Sequence, residues 1–123
     1  LSKNIHYIGN VNSDEFSKCI SSSKISLNIL RKQNVNSHNM KTFEIPSMGG
    51  LMITERSTEQ DSFFPENKAC LMYKNINELK LKINDVTLNQ YKYKKILNKG
   101  FLLAKKNTYR SRVKYLMKII YER

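Results

Sequence analysis

Cysteine is sparse in this sequence, and the two present form no framework: Cys19 and Cys70 stand alone. That excludes a disulfide-stapled scaffold and fits a reducing compartment. Cys70, inside Ala69-Cys70-Leu71-Met72, reads as a small core residue. Two Cys and two His, scattered without ligand spacing, argue against a zinc centre. No apolar run approaches the roughly 20 residues that span a bilayer, and there is no repeat or low-complexity tract. The first residues, Leu1-Ser2-Lys3-Asn4-Ile5-His6, hold neither an apolar signal segment nor an initiator Met. These absences point to a cytoplasmic chain, processed or trimmed from a longer one.

What is present is a length of 123 residues, enough for one domain with one core, of which 40% are hydrophobic and 26% charged. The net charge is +12 and lies at one end: residues 1–85 carry 11 Lys/Arg against 9 Asp/Glu, whereas residues 86–123 carry 11 against one acid, Glu122. So basic a face suits nucleic acid, an anionic membrane surface or an acidic partner domain, or is simply a set of solvated helix faces. Tyr91, Tyr93, Tyr109, Tyr115 and Tyr121 are interleaved with the cations, an arrangement able to stack bases. Tyr93 and Tyr109 fall at core-type helical spacing, however, which favours packed rings with outward hydroxyls and makes nucleic acid the weaker partner.

Strand and helix signals alternate through the first two thirds. Ile5 to Gly9 predicts a short strand, and Asn12 or Ser13 caps a helix with Phe16 and Ile20 on one face. Lys24 to Leu30 has a period of two: Ile25, Leu27 and Ile29 point one way, Ser26 and Asn28 the other. After a polar loop, a short helix holds Met40, Phe43 and Glu44 and stops at Gly49-Gly50. Leu51 to Thr54 is a third strand, Glu55 to Pro65 a long loop, and Ala69 to Tyr73 a fourth strand. A helix capped by Asn77 follows through Leu79, Ile83 and Val86, although Leu79 to Ile83 also alternates as a strand does. Further on, Tyr93, Ile96, Leu97, Gly100 and Ala104 recur at helical spacing, as do Tyr109, Val113, Leu116, Met117 and Ile120 behind a cap at Asn107 or Thr108. The predicted fold is a single α/β domain: a partial Rossmann-like parallel sheet of about four strands flanked by helices, with βα repeats over 1–75 and mainly helix over 76–123.

Chemistry concentrates between Asn39 and Glu55. The segment begins beyond the carboxyl end of a predicted parallel strand, where open α/β sheets bind ligands. A helix start offers free N–H groups and partial positive charge to a phosphate. Lys41 near that start opposes the helix dipole, which is easier to understand with an anion between them. Arg31, at the exit of the preceding strand, adds a forked cation. Glu44, one turn further in, is an acceptor pair matched to the two hydroxyls of a ribose. On spacing alone, a Glu in this position is ordinarily just a favourable dipole partner.

Lys41-Thr42-Phe43-Glu44-Ile45-Pro46-Ser47-Met48-Gly49-Gly50-Leu51-Met52-Ile53-Thr54-Glu55 resembles the core motif of the spore-maturation (CgeB-like) glycosyltransferases, within the group 1 glycosyltransferase C-terminal domains. Ile5 to Val11, Lys24 to Arg31 and Phe63-Phe64-Pro65 with Cys70 to Tyr73 resemble neighbouring segments of that family, and Asn107-Thr108-Tyr109-Arg110-Ser111-Arg112 resembles its closing motif, His-Thr-Tyr-x-x-Arg. The resemblance implies a GT-B fold, in which two Rossmann-like domains face each other across a cleft and the C-terminal one holds a nucleotide-sugar donor. It implies that Glu44 binds the donor ribose, that Lys41 and Thr42 contact the diphosphate, and that Thr54 and Glu55 lie at the cleft rim. The nucleotide sugar is then a substrate, with no cofactor and no metal expected. Three departures stand out: no acid between Asn34 and Ser37 matches the earlier family Glu, Lys41 replaces an Arg, and Asn107 replaces the closing His. The resemblance leaves the catalytic residues unassigned.

The implied partner is an N-terminal acceptor domain that this sequence does not contain, or another copy of the chain. Alone, the chain is expected to be catalytically inactive and either unstable or oligomeric. The alternative reading is a basic module that binds nucleic acid or a membrane surface through its Lys/Arg/Tyr-rich C-terminal helices.

Overall fold

A computed structural model describes residues 4–33 and 36–122. The order of elements is α1 (Ser13–Ser22), β1 (Ser26–Asn28), α2 (Lys41–Ser47), β2 (Met52–Glu55), α3 (Thr58–Phe63), β3 (Leu71–Tyr73), α4 (Ile76–Leu88), a 3-10 turn (Gln90–Tyr93), α5 (Lys94–Lys106) and α6 (Tyr109–Tyr121). The three strands form one parallel sheet in the order β1-β2-β3, with Asn28 beside Thr54 and Thr54 beside Met72. Helices cover both faces. Met52 and Met72 face a core with Ile20, Ile45, Phe64 and Ala104, while Ile53 and Leu71 face another with Leu79, Val86 and Tyr93. A parallel strand buried on both faces is apolar at successive positions, and Leu51-Met52-Ile53 at the centre of the sheet has that pattern.

Local chemistry sets the helix ends. Asn12 and Glu15 close a reciprocal capping box on α1. Thr108 caps α6. The cap of α4 is Asn75 and not Asn77: its side chain accepts from the Glu78 N–H at 3.0 Å. At the end of α2, Gly49 adopts φ +77° while the Gly50 N–H donates to the Ile45 carbonyl and the Gly49 N–H to the Pro46 carbonyl. This is the Schellman arrangement, and it needs a residue free to take left-handed backbone.

The structure corrects several expectations. Ile5 to Gly9 is no strand: it pairs with no strand of the sheet, and Ile5, Tyr7 and Ile8 are exposed, so among the described residues three strands stand where about four were expected. The alternation along β1 holds, but its polar face is turned inward: Ser26 and Asn28 are buried while Leu27 and Ile29 are exposed. The expected loop from Glu55 to Pro65 contains α3, capped by the Ser57 hydroxyl accepting from the Gln60 N–H at 3.0 Å. The helical spacing of α6 is real, yet none of its residues is buried, Tyr109 included.

Candidate functional site

The start of α2 is held from beneath by a buried polar cluster. Thr42 is fully buried, and its hydroxyl donates to Gln60 Oε1 at 2.9 Å. Asn28, also fully buried, donates from Nδ2 to Thr42 Oγ1 at 3.3 Å and accepts from Asn39 Nδ2 at 2.8 Å. The Thr42 N–H donates to Asn39 Oδ1, and the Asn39 N–H to Thr42 Oγ1, each at 3.2 Å. These pairings explain why Asn28 is turned inward: buried amides and hydroxyls are tolerated where they satisfy one another, whereas the buried Ser26 hydroxyl has no partner. The same pairings fix the β1–α2 connection, and with it the direction in which Phe43 and Glu44 leave the helix.

Above this cluster lies a groove of about 490 Å³, within the usual range for small-molecule sites. One wall is α2 and the residues before it: His38, Met40, Phe43, Glu44 and Ser47. The other is the α5–α6 junction: Ala104, Asn107, Thr108, Tyr109 and Arg112. The walls meet because Gly100 lets α5 approach closely. A side chain there would place its Cβ 2.6 Å from the Ala69 carbonyl oxygen and 3.5 Å from Pro46 Cβ. Arg112 reaches across, its guanidinium 4.5 Å from the centre of the Phe43 ring and 5.5 Å from that of Phe63. His38 packs edge-on against both rings. Its Nδ1 lies 3.1 Å from Glu59 Oε2, without good hydrogen-bond alignment, and the imidazole beside it holds the Glu59 carboxyl below its ordinary range.

Two ionised groups in this lining are unspent. Among the described residues, the Glu44 carboxylate has no hydrogen bond or ion pair, and Arg112 has only its ring contacts, no carboxylate. A groove holding an unpaired acceptor pair and an unpaired guanidinium can take a ligand that carries both hydroxyls and negative charge.

The six candidate residues from the sequence do not converge. Glu44 lines this groove. Lys41, the first residue of α2, is exposed and outside its lining. Arg31 and Glu55 line a second groove of about 290 Å³ at the carboxyl ends of the strands, with Lys32, Tyr73 and Lys74. There burial and the Glu55 carboxylate push the Tyr73 phenol up. Thr42 and Thr54 are sealed in the interior; the Thr54 hydroxyl has no partner, whereas that of Thr42 is held in the cluster described above. Asn34 and Val35, where an earlier acid was sought, lie outside the described residues. Among the described residues no group of three His, Cys, Asp or Glu side chains is arranged to hold a metal ion, and no helix is long and apolar enough to cross a membrane.

Sequence reasoning missed Arg56. It forks onto Glu66 (2.9 and 2.7 Å) and onto Glu78 (3.2 and 2.7 Å), with Lys82 3.2 Å from Glu66. The paired charges raise the Arg56 guanidinium further, lower the Glu66 carboxyl, and bring Glu78 down to about 2. This cluster ties the end of β2 to α4; it is structural and does not line the larger groove.

A glycosyl transferase-like family model matches residues 2–118, and the chain belongs to that family. No curated protein and no solved structure matches it.

Proposed function

We propose that this glycosyl-transfer domain binds a nucleotide-sugar donor in the groove between α2 and the α5–α6 junction. In this reading it is the donor-binding part of a CgeB-like enzyme of GT-B architecture that works with a separate acceptor domain. One observation carries the reading: Glu44 and Arg112 line the same groove with their charges unpaired. Glu44 belongs to the segment that resembles the family's core motif, Arg112 to the one that resembles its closing motif. Glu44 accepts from the two ribose hydroxyls. Arg112 faces the diphosphate, and Lys41 adds positive charge at the groove's edge. In glycosyl transfer the acceptor's nucleophilic atom bonds to the anomeric carbon and gives up its proton, while the bond from that carbon to the diphosphate oxygen breaks and the diphosphate leaves with the electron pair. A guanidinium at that position stabilises the leaving charge without protonating it. Thr42 acts from beneath, through the cluster that orients α2.

The reading is tested by calorimetry with a panel of nucleoside diphosphates and their sugar esters. Glu44→Ala should weaken the best ligand by about 1–3 kcal/mol. Arg112→Ala should weaken nucleoside diphosphates by a similar amount while leaving the free nucleoside unaffected. If no nucleotide binds, or if both variants bind like the parent chain, the groove is not the donor site.

A further inference from the structure

His38 lines the larger groove, and donor binding by Glu44 and Arg112 leaves its chemistry unused. Its ring stands edge-on to Phe43 and Phe63, at 5.5 and 5.1 Å between ring centres. The Arg112 guanidinium lies over the same two rings, 4.5 and 5.5 Å from their centres. The two side chains therefore share one aromatic support. The two nitrogens of the imidazole differ. Nδ1 is sealed from solvent and lies 3.1 Å from Glu59 Oε2. An ionised carboxylate only accepts, so the hydrogen of the neutral ring belongs on Nδ1. Nε2 has no partner among the described residues, and the 27% of the side chain that stays exposed lies away from the sealed Nδ1. The charged and titratable groups around His38 are Glu59 from α3, Glu44 from α2, and Arg112 and Tyr109 from α6. Helix α5 lines the groove with Ala104 and adds no charge.

We infer that His38 is a further diphosphate-binding group of the donor groove, and that it takes up a proton from solvent as the nucleotide sugar binds. The inference rests on the donor reading of that groove. In the neutral ring Nε2 turns a lone pair outward, and a phosphate oxygen finds no hydrogen there. A proton added at Nε2 makes it a charged donor, suited to a short bond with phosphate. Imidazole is the side chain whose ordinary titration makes that step accessible near neutral pH. In the empty groove a second cation over the same pair of rings is opposed by Arg112. Glu59 offsets part of this from behind, at the sealed nitrogen, and the imidazole already holds its carboxyl below the ordinary range. A diphosphate brings negative charge to both cations and turns their repulsion into a shared attraction. Glu44 is then engaged by the ribose, and Tyr109 stays a neutral phenol at the groove's edge. The proton returns to solvent when the ligand leaves, and no covalent bond of the ligand changes.

The test is calorimetry of the whole chain with the glucose esters of uridine, guanosine, adenosine, cytidine and thymidine diphosphate. It runs across the range in which imidazole titrates, about pH 6 to about pH 8, in pairs of buffers with different ionisation heats. The diphosphate of such an ester does not titrate in that range, so a proton exchanged on binding belongs to the protein. The ester that binds should bind roughly three- to tenfold more tightly at the acid end, with net proton uptake. His38→Gln should abolish the uptake and flatten the pH dependence, while His6→Gln, at the other histidine, should keep both. Glu59→Gln preserves shape and removes the charge; it should move the rise in affinity to lower pH. Thermal unfolding reports whether each variant remains folded. Binding without proton uptake, uptake that survives in His38→Gln, or a loss of affinity in that variant that is equal at every pH overturns the inference and leaves the donor reading standing. If none of the esters binds, both fall together.

Discussion

Helices α5 and α6 are each 13 residues long, follow one another directly and share a basic, amphipathic pattern. One is part of the core and the other is not. On α5, Gly100 and Ala104 are buried and Leu103 packs beside them. On α6 the corresponding stripe is built of Val, Leu and Ile and belongs to neither core cluster. Amphipathic spacing states that a helix has a face to cover; it does not state what covers it. The difference lies in size. Small residues four apart let α5 approach α2 and the Ala69 carbonyl until the backbones nearly touch, and that approach raises the far wall of the groove.

The sharpest way to break the comparison is to make α5 behave like α6. Gly100→Val puts branched carbon where a Cβ alone would lie 2.6 Å from the Ala69 carbonyl oxygen. That oxygen is backbone and cannot swing aside. The expected loss is about 3 kcal/mol in urea unfolding, offset by less than about 1 kcal/mol from the better helix propensity of Val over Gly. Nucleotide binding should fall with it, because the groove loses a wall. An unchanged midpoint would mean that α5 is held more loosely than its packing indicates.

A third helix shows what charge alone contributes. α4 is fastened by Arg56, whose guanidinium grips Glu66 and Glu78 together. Both carboxyls sit below their ordinary value when folded, Glu78 at about 2 against 4.5. Groups lowered in this way contribute stability above the unfolded value, and that stability is lost as pH falls through the folded one. Acid unfolding should therefore steepen between 4.5 and about 2. Arg56→Ala should cost about 1–2 kcal/mol at neutral pH, discounted for partial exposure, and should flatten that limb. Asp85, lowered to about 2 by Tyr93, Lys92 and Asn89, lies outside this cluster and should keep its own contribution.

What could be read from the sequence divides along the same lines. The segment from Asn39 to Glu55 was legible because its signals are local: a short helix with a Gly-Gly stop, and an apolar strand after it. Asn75 and α3 were legible in principle, since Ser57 followed three residues later by Gln60 is a capping pattern. The strand expected at Ile5 failed because a strand needs a neighbour, and the sheet pairs no strand there. The inward polar face of β1 depends on Thr42, Asn39 and Gln60, far away in the chain. In the groove, Glu44 could be named from motif and spacing. Arg112 could not be joined to it, because their meeting depends on how closely α5 packs. The other five candidates came from the expected helix start, the strand exit and the resemblance, and folding distributes them between the helix start, a second groove and the interior.

The smallest expected effect is the most telling for α6. Leu116→Ala in a packed helix would remove buried side chain and leave a cavity, at a cost of about 2–5 kcal/mol. Here Leu116 is 55% exposed and touches no core cluster, so the change should stay within about 0.5 kcal/mol. Leu103→Ala on α5 is the matched control: partly buried against the first core, it should cost clearly more. The pair needs only two urea titrations at low protein concentration. A large loss at Leu116 would mean that α6 is covered in solution, by the body of the chain or by a second copy, and that the uncovered stripe is not how the molecule exists. Near-equality with the parent chain leaves α6 as a face whose apolar residues contribute nothing to folding and remain free to act at another surface.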